Sequence, residues 1–357
     1  MKKRIIYLDY LRAIAIISVI FNHISSKWAG ADINLINKAI VFSYHSFGRV
    51  GVPIFLMLSG VLLLNNKHSI KNFIKRRYPR VIIPFLFWMT LLIIFYIATD
   101  PSLINSNLWF FVIDKYLSGR WYVWMILGIY LVIPIIASFI KKSKLEGAKY
   151  FLIIWLITTA LYTLSVIFGF SMYNLDLVVF SGPIGYLILG YYLHNKDFNM
   201  DAKKIVRISL IIFLICLFFK AWFFMQDYID PHLFRYFIFA KKSRLEIDTI
   251  TILQVASFFV LFKYLGTVKT GVYEKISNFI NNQKVTALAI SVSRASYGIY
   301  LNHYFFNETL SLMKLDYSAL NPLIFIPLIV LIVFLCAYGL IMILNKVPVI
   351  RDLTGYH

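Results

Sequence analysis

Residues 321–344 read NPLIFIPLIVLIVFLCAYGLIMIL, a run without a single charged side chain. An α-helix needs about 17–25 predominantly apolar residues to cross a bilayer, so this run predicts a membrane-spanning helix. The composition of the whole chain agrees, because 60% of its 357 residues are apolar or aromatic and only 15% are charged. A soluble domain would be about 45–50% apolar and about 25% charged. The sequence therefore predicts an integral membrane protein.

Nine further apolar runs of similar length precede this one. The ten predicted spans are residues 7–25, 46–64, 81–98, 121–140, 150–169, 178–194, 205–225, 248–265, 288–307 and 321–344. We therefore expect an all-α integral membrane protein with about ten transmembrane helices. Residues 1–345 would form one transmembrane domain, and residues 346–357 a short cytoplasmic tail.

The positive charge of the chain fits this topology. There are 36 Lys and Arg residues against 16 Asp and Glu, which gives a net charge of +20. In a soluble protein such an excess would suggest nucleic-acid binding, but membrane proteins concentrate Lys and Arg in their cytoplasmic loops. With the N-terminus inside, the cytoplasmic segments carry 24 basic residues and the outer segments 11, of which five fall between Lys220 and Arg244; the remaining one, Arg12, lies within the first span. The distribution predicts that both termini are cytoplasmic and argues against nucleic acid as a partner.

The first span contains an arginine and a histidine. Residues 7–23 read YLDYLRAIAIISVIFNH, and the eleven-residue spacing of Arg12 and His23 places both on one helix face, about 16 Å apart along the axis. Asp9 is positioned to pair with Arg12. Ionisable residues inside a membrane usually face a cavity or a partner, although Arg12 could snorkel and His23 could cap the helix. The arrangement suits a ligand whose phosphate binds Arg12 while His23 carries out proton chemistry farther out.

Four further motifs follow in order along the chain. They are GVPIFLMLSG at residues 51–60, RYPR at 77–80, WY at 121–122 with YLVIP at 130–134, and SYGIYLNH at 296–303. Together with the spacing of Arg12 and His23, they resemble the membrane acyltransferase 3 family over essentially the whole chain. The aromatic motif of the fourth span is similar to the branch that O-acylates surface polysaccharides.

The resemblance implies a membrane O-acyltransferase of the bacterial cell membrane. Its donor would be cytoplasmic acyl-CoA, with acetyl-CoA the expected one, and its acceptor a hydroxyl of a cell-envelope polysaccharide or of its lipid-linked precursor. No metal is implied, and the partners are these two substrates and membrane lipids. Larger family members add an extracytoplasmic domain, whereas residues 1–345 here resemble the stand-alone acyltransferase-3 transmembrane domain.

The resemblance also assigns roles to individual residues. The catalytic histidines would be His23 and His303. The arginines that bind the phosphates of coenzyme A would be Arg12, Arg77 and Arg80. The aromatic residues that contact the acceptor would be Trp121, Tyr122 and Tyr300. A guanidinium matches the geometry of phosphate, which suits the arginines to this role. His23 would either take the proton of the acceptor hydroxyl or carry the acyl group transiently.

Each of these assignments has a structural alternative. The arginines near residue 77 would also serve as a cytoplasmic anchor, and the aromatic pair at 121–122 as part of the interfacial belt. The ninth span has polar residues spaced 4, 3 and 4 apart on one face, namely Ser296, Tyr300, His303 and Asn307. Such a stripe indicates a protein-lined interior or hydrogen bonds to a neighbouring helix.

Outside these motifs, His45 and Arg49 flank the outer start of the second predicted span. Arg49 would meet a lipid headgroup there or, alternatively, an anionic acceptor. Two other function classes also fit many spans with internal charges: a transporter or flippase for glycan or lipid, and a non-catalytic subunit of a polysaccharide synthesis complex. Paired halves with broken helices, which are typical of transporters, are not visible in the sequence.

Overall fold

The computed structural model describes residues 4–66, 69–104, 108–117, 121–168, 182–229, 248–315 and 317–356. These residues are helical almost throughout, and no β-strand occurs among them. The predicted all-α fold class is therefore confirmed. In chain order, the helices are α1 (Ile6–Ala29), α2 (Leu35–Gly48), α3 (Gly51–Leu63), α4 (Ile70–Thr99), α5 (Leu108–Leu117), α6 (Trp121–Phe168), α7 (Ile184–Asn195), α8 (Ala202–Ile229), α9 (Thr249–Leu265), α10 (Val272–Ile280), α11 (Gln283–Leu312) and α12 (Pro322–Leu344).

Six helical stretches in the described part of the chain are long and apolar enough to cross a membrane. They are Ile6–Ala29, Leu35–Leu63, Ile70–Thr99, Trp121–Leu164, Ala202–Gln226 and Pro322–Leu344. The chain is thus a multi-pass membrane protein. The predicted spans 248–265 and 288–307 coincide with α9 and α11, and residues 184–194 of the predicted span 178–194 lie in α7, whereas residues 178–181 lie outside the described residues. Helices α7 and α9 are shorter than the six stretches above, and α11 is more polar. The number of ten crossings and the cytoplasmic position of both termini remain predictions.

Two of the predicted spans lie within the long helix α6. Lys144 has a non-helical backbone conformation (φ 52°, ψ −139°) and separates two helical segments there. The break falls between the predicted spans 121–140 and 150–169. Four charged or polar residues around it (KKSK, 141–144) explain why the sequence places a boundary at this point.

The second span begins earlier than the sequence predicts. The apolar helical stretch starts at Leu35 rather than residue 46 and continues to Leu63. The polar residues of its first turns conceal this start, above all Lys38, which is nevertheless buried. The Lys38 ammonium donates to the carbonyl of Ala29 (2.9 Å) and lies 4.3 Å from the ring centroid of Tyr228. A hydropathy pattern cannot anticipate such partners.

The chain divides into two compact units. Unit 1 comprises residues 1–66, 139–293 and 316–331, and unit 2 comprises residues 67–138, 294–315 and 332–357. Each unit is assembled from separated stretches of sequence, so neither corresponds to a simple half of the chain.

Close backbone approaches hold unit 1 together. Helices α3 and α7 cross where a β-carbon on Gly60 would collide with the carbonyl of Leu187, and one on Gly190 with the carbonyl of Met57. Gly60 is the last residue of the GVPIFLMLSG motif, and the close helix packing explains why this position is a glycine. One turn after Gly190 on α7, Nδ1 of His194 is hydrogen-bonded to the hydroxyl of Tyr7 (2.5 Å).

In unit 2, a C-terminal turn packs between α4 and α11. Thr354 is fully buried, and its carbonyl accepts a hydrogen bond from Nε1 of Trp88 (3.1 Å). A β-carbon on Gly298 would lie 2.5 Å from the same carbonyl oxygen, so only glycine permits this approach. The segment that the sequence presents as a simple tail is therefore part of the packed unit. Its cytoplasmic location remains a prediction.

Candidate active site

Helix α1 carries Arg12 and His23, the predicted phosphate-binding arginine and catalytic histidine of the first span. It is a single helix from Ile6 to Ala29, so Arg12 and His23 lie on one face as their spacing predicts. Both side chains are half-buried, so neither is a fully exposed surface charge.

The ion pair that the structure shows for Asp9 differs from the expected one. Asp9 was expected to pair with Arg12, but its two carboxylate oxygens accept hydrogen bonds from the guanidinium of Arg4, each at 2.7 Å. This bidentate geometry matches the guanidinium fork to the carboxylate.

Helix α2 crosses α1 next to His23. A β-carbon on Gly48 would lie 2.5–2.8 Å from the backbone N, Cα and Cβ of Asn22, so the absence of a side chain lets the two helices touch. This contact brings His45 and Arg49 beside the C-terminal part of α1. His45 Nδ1 lies 3.4 Å from the hydroxyl of Ser25, two residues after His23.

His45 and Arg49 share an aromatic neighbour on α8. The ring of His45 lies 5.3 Å from that of Phe224, and the guanidinium carbon of Arg49 lies 5.5 Å from the same ring centroid. Both residues lie within the apolar helical stretch Leu35–Leu63, at the junction of α2 and α3. Their expected position at the outer start of the second span remains a prediction.

One turn before Phe224, α8 contributes a buried lysine. Lys220 is fully buried and lies 3.6 Å from the carboxylate of Asp248, which is also buried. The lysine ammonium also donates to the hydroxyl of Thr251, and that hydroxyl donates to Asp248 (2.5 Å). Asp248 caps α9 as well, since its other oxygen accepts from the backbone N–H of Thr251 (2.8 Å).

These residues form one group, which we term the basic cluster: His23, His45, Arg49 and Lys220. His45 interacts electrostatically with the other three. From the sequence, Lys220 is only one of the predicted outer cations, and Asp248 is not among the candidate site residues. The available signal is a lysine within the apolar run LFFKAWFF, because a charge so placed needs an internal partner.

In unit 2, α11 presents its polar stripe to the interior. Ser296, Tyr300 and His303 are buried, and Asn307 is half-buried. The neighbouring Asn302 is fully buried and donates to the carbonyl of Ala337 on α12 (3.0 Å). The burial of the stripe fits the predicted protein-lined interior, and a helix–helix hydrogen bond is made by Asn302 beside it.

His303 has one ring nitrogen fixed by the helix. Its Nδ1 lies 3.1 Å from the carbonyl oxygen of Ile299, and because a carbonyl only accepts, Nδ1 carries the proton of this hydrogen bond. In the neutral ring Nε2 is then the basic nitrogen. This tautomer suits His303 to accept a proton or orient a hydroxyl.

The predicted acceptor-binding aromatics meet in the same unit. The rings of Tyr122 and Tyr300 are 5.1 Å apart in an edge-to-face arrangement, and Trp121 lies next to Tyr122. Tyr122 and Tyr300 are buried, whereas Trp121 is half-buried. Tyr300 also approaches His303, with ring centroids 5.9 Å apart.

The predicted donor-binding arginines lie in the first turns of α4. Arg77 is half-buried and Arg80 is exposed. The residue after Arg80 is Val81, whose carbonyl accepts a hydrogen bond from the hydroxyl of Tyr297 on α11 (2.7 Å). This bond joins the arginine-bearing turn of α4 to the helix that carries Tyr300.

The candidate residues thus fall into two groups. Unit 1 holds Arg12 and His23 with the rest of the basic cluster. Unit 2 holds the other predicted site residues, namely Arg77, Arg80, Trp121, Tyr122, Tyr300 and His303. Among the residues that the structure covers, no group of three His, Cys, Asp or Glu side chains could hold a metal ion.

A match to a known protein family includes the candidate site residues of both units. A family model described as an acyltransferase domain matches residues 5–342. The chain belongs to the acyltransferase 3 family. The match spans every predicted site residue, whereas the C-terminal turn around Thr354 lies beyond it. No curated protein and no solved structure matches the chain.

Membership of the acyltransferase 3 family identifies this multi-pass membrane protein as an acyltransferase. The motif resemblance that the sequence shows is thereby confirmed at the level of the family. The acyl donor, the acceptor and the roles of individual residues go beyond this match.

Proposed function

We propose that this acyltransferase moves an acetyl group from cytoplasmic acetyl-CoA to a hydroxyl of a bacterial cell-envelope polysaccharide or its lipid-linked precursor. The observation that carries the proposal is the uninterrupted helix α1, which holds a half-buried arginine and a half-buried histidine on one face. Arg12 lies toward the predicted cytoplasmic end, where coenzyme A is available, and His23 lies toward the outer end.

The reaction needs one proton transfer and one acyl transfer. In the first route, His23 takes the proton of the acceptor hydroxyl while the hydroxyl oxygen attacks the thioester carbonyl. The carbon–sulfur bond then breaks, and the coenzyme A thiolate leaves and takes up a proton. In the second route, the imidazole of His23 attacks the thioester carbonyl first, and the carbon–sulfur bond breaks to release the coenzyme A thiolate, which takes up a proton. The acceptor hydroxyl then gives up its proton while its oxygen attacks the acetyl-imidazole, and the carbon–nitrogen bond breaks to restore the free imidazole.

Unit 2 supplies the remaining proposed roles. Arg77 and Arg80 would bind phosphates of the donor, because guanidinium groups form paired hydrogen bonds with phosphate oxygens. Tyr122 and Tyr300 offer an aromatic surface for the sugar. Their ring separation of 5.1 Å and their burial support a preformed surface rather than two independent belt residues.

Labelled acetyl-CoA added to the purified protein tests the proposal against its rivals. We expect release of coenzyme A, or labelling of the protein itself, that disappears in His23→Ala. The matched control is His194→Gln, which alters another half-buried histidine of unit 1 and should retain the activity. Glycan movement that needs no acyl donor would instead indicate a transporter, and the absence of both activities would indicate a non-catalytic subunit.

The two chemical routes separate in the same preparation. Without acceptor, the second route predicts an acetyl group on the ring of His23, detectable by mass spectrometry of the peptide that contains it. An adduct that forms and then transfers to added acceptor would exclude direct proton removal as the only role of His23.

A further inference from the structure

Three residues of the basic cluster, His45, Arg49 and Lys220, come from the neighbouring α2 and α8 segments, and His23 comes from α1. His45 and Arg49 are four residues apart at the junction of α2 and α3, and Lys220 and Phe224 are four residues apart on α8. Residues at this spacing lie on the same side of a helix. Phe224 is only 1% exposed, and its ring centroid lies 5.3 Å from that of His45 and 5.5 Å from the guanidinium carbon of Arg49.

Several contacts fix the positions of these basic groups. Lys220 is held by Asp248 and Thr251, and the Gly48 crossing sets the distance between α2 and α1. A ligand that binds here finds charges already in place, so little ordering of side chains opposes binding.

A buried acceptor atom lies beside the cluster. The side-chain oxygen of Asn22, the residue before His23, is inaccessible to solvent and has no hydrogen-bond donor within the described ranges. Buried polar atoms are almost always hydrogen-bonded in native proteins. A hydroxyl group from a bound ligand would supply the missing donor.

We propose that the basic cluster and Asn22 form the acceptor subsite, and that it takes a sugar carrying a phosphate or a carboxylate. The guanidinium of Arg49 binds the anionic group, because a charge-assisted bond of this kind is about twice as strong as a neutral one. The side-chain oxygen of Asn22 accepts a hydrogen bond from a sugar hydroxyl, and a second hydroxyl reacts at His23. This assignment rests on the proposed O-acyl transfer and specifies its acceptor.

Thermal unfolding of the purified full chain in nanodiscs tests the subsite directly. With coenzyme A at saturation, the probes are glucose 1-phosphate, glucuronate, neutral glucose and inorganic phosphate. We expect the two charged sugars to raise the unfolding midpoint more than glucose or phosphate alone. The comparison separates a sugar that carries an anion from a free anion and from a neutral sugar.

Variants of Arg49 identify the residue responsible. Arg49→Gln should weaken the apparent affinity for the charged sugars about tenfold, and Arg49→Lys should retain part of it. Arg207→Gln is the matched control, since Arg207 is an exposed arginine at the opposite end of α8. If Arg49→Gln fails to fold, Arg49→Lys and Asn22→Ala provide the same comparison.

Three results would overturn the subsite: equal stabilisation by glucose, equal stabilisation by phosphate alone, or no stabilisation by any sugar. Unchanged affinity in both Arg49 variants would also overturn it. Coenzyme A release measured in parallel keeps this failure separate from failure of the proposed function. Release that still depends on His23 would leave the acyltransferase in place with a different acceptor site.

Discussion

Replacement of Asp248 by asparagine removes the negative charge beside a fully buried lysine. Asparagine has the same shape and is a good N-cap residue, so the hydrogen bond from the backbone of Thr251 is retained. The loss is electrostatic, because the carboxylate lies 3.6 Å from the ammonium of Lys220 and its side chain is only 4% exposed. Breaking one side of a buried ion pair costs about 3–5 kcal/mol. We expect the lower end, about 3 kcal/mol, since Thr251 still accepts from the lysine.

A double-mutant cycle distinguishes this interaction from a general loss of packing. The unfolding free energies of Asp248→Asn, Lys220→Met and the double variant are measured by detergent-to-SDS titration with tryptophan fluorescence. The loss of unfolding free energy in the double variant should be smaller, by at least about 1 kcal/mol, than the sum of the losses in the two single variants. Asp9→Asn provides a control at a partly exposed pair, with an expected cost of about 1 kcal/mol. Additive effects within about 0.5 kcal/mol would refute the reasoning.

Three further predictions address unit 2. Gly298→Ala should destabilise the protein by about 1–3 kcal/mol, because its β-carbon would press against the C-terminal turn; in Gly339→Ala, where that space is open, thermal unfolding should show no such loss. Arg80→Gln should raise the acetyl-CoA concentration at half-maximal coenzyme A release about tenfold; an equal effect of Arg76→Gln, also exposed on α4, would contradict a specific phosphate contact. Tyr300→Phe keeps the buried ring but removes its hydroxyl, so acyl transfer should fall several-fold; a lower unfolding midpoint with unchanged transfer would indicate a structural role only.

The features that sequence reasoning predicts are those with a local, periodic origin. The apolar runs predict the helices because length and hydropathy alone decide whether a helix can lie in a bilayer. The spacing of Arg12 and His23, and that of the polar residues on α11, predict shared faces because helical geometry is regular. These expectations depend on residues within three or four turns of one another.

The features that it misses depend on distant partners. Lys38 is tolerated inside the second span because Ala29 and Tyr228 receive its ammonium group. Lys220 is buried because Asp248 and Thr251 lie opposite it across a stretch of nearly thirty residues.

The packed C-terminal turn likewise has no local pattern. Its position depends on Trp88, which precedes Thr354 by 266 residues and donates to its carbonyl. Such a contact can be recognised only after the helices have been brought together.

The central claim is that acyl transfer to an envelope glycan depends on His23. Its most direct test is mass spectrometry of the envelope glycan from cells that lack the gene and carry either the wild-type chain, His23→Gln or His194→Gln, each at equal abundance in the membrane. The account predicts O-acetylated glycan with the wild-type chain and with His194→Gln, and unmodified glycan with His23→Gln. Acetylation that persists in His23→Gln, or is absent with the wild-type chain, would contradict it.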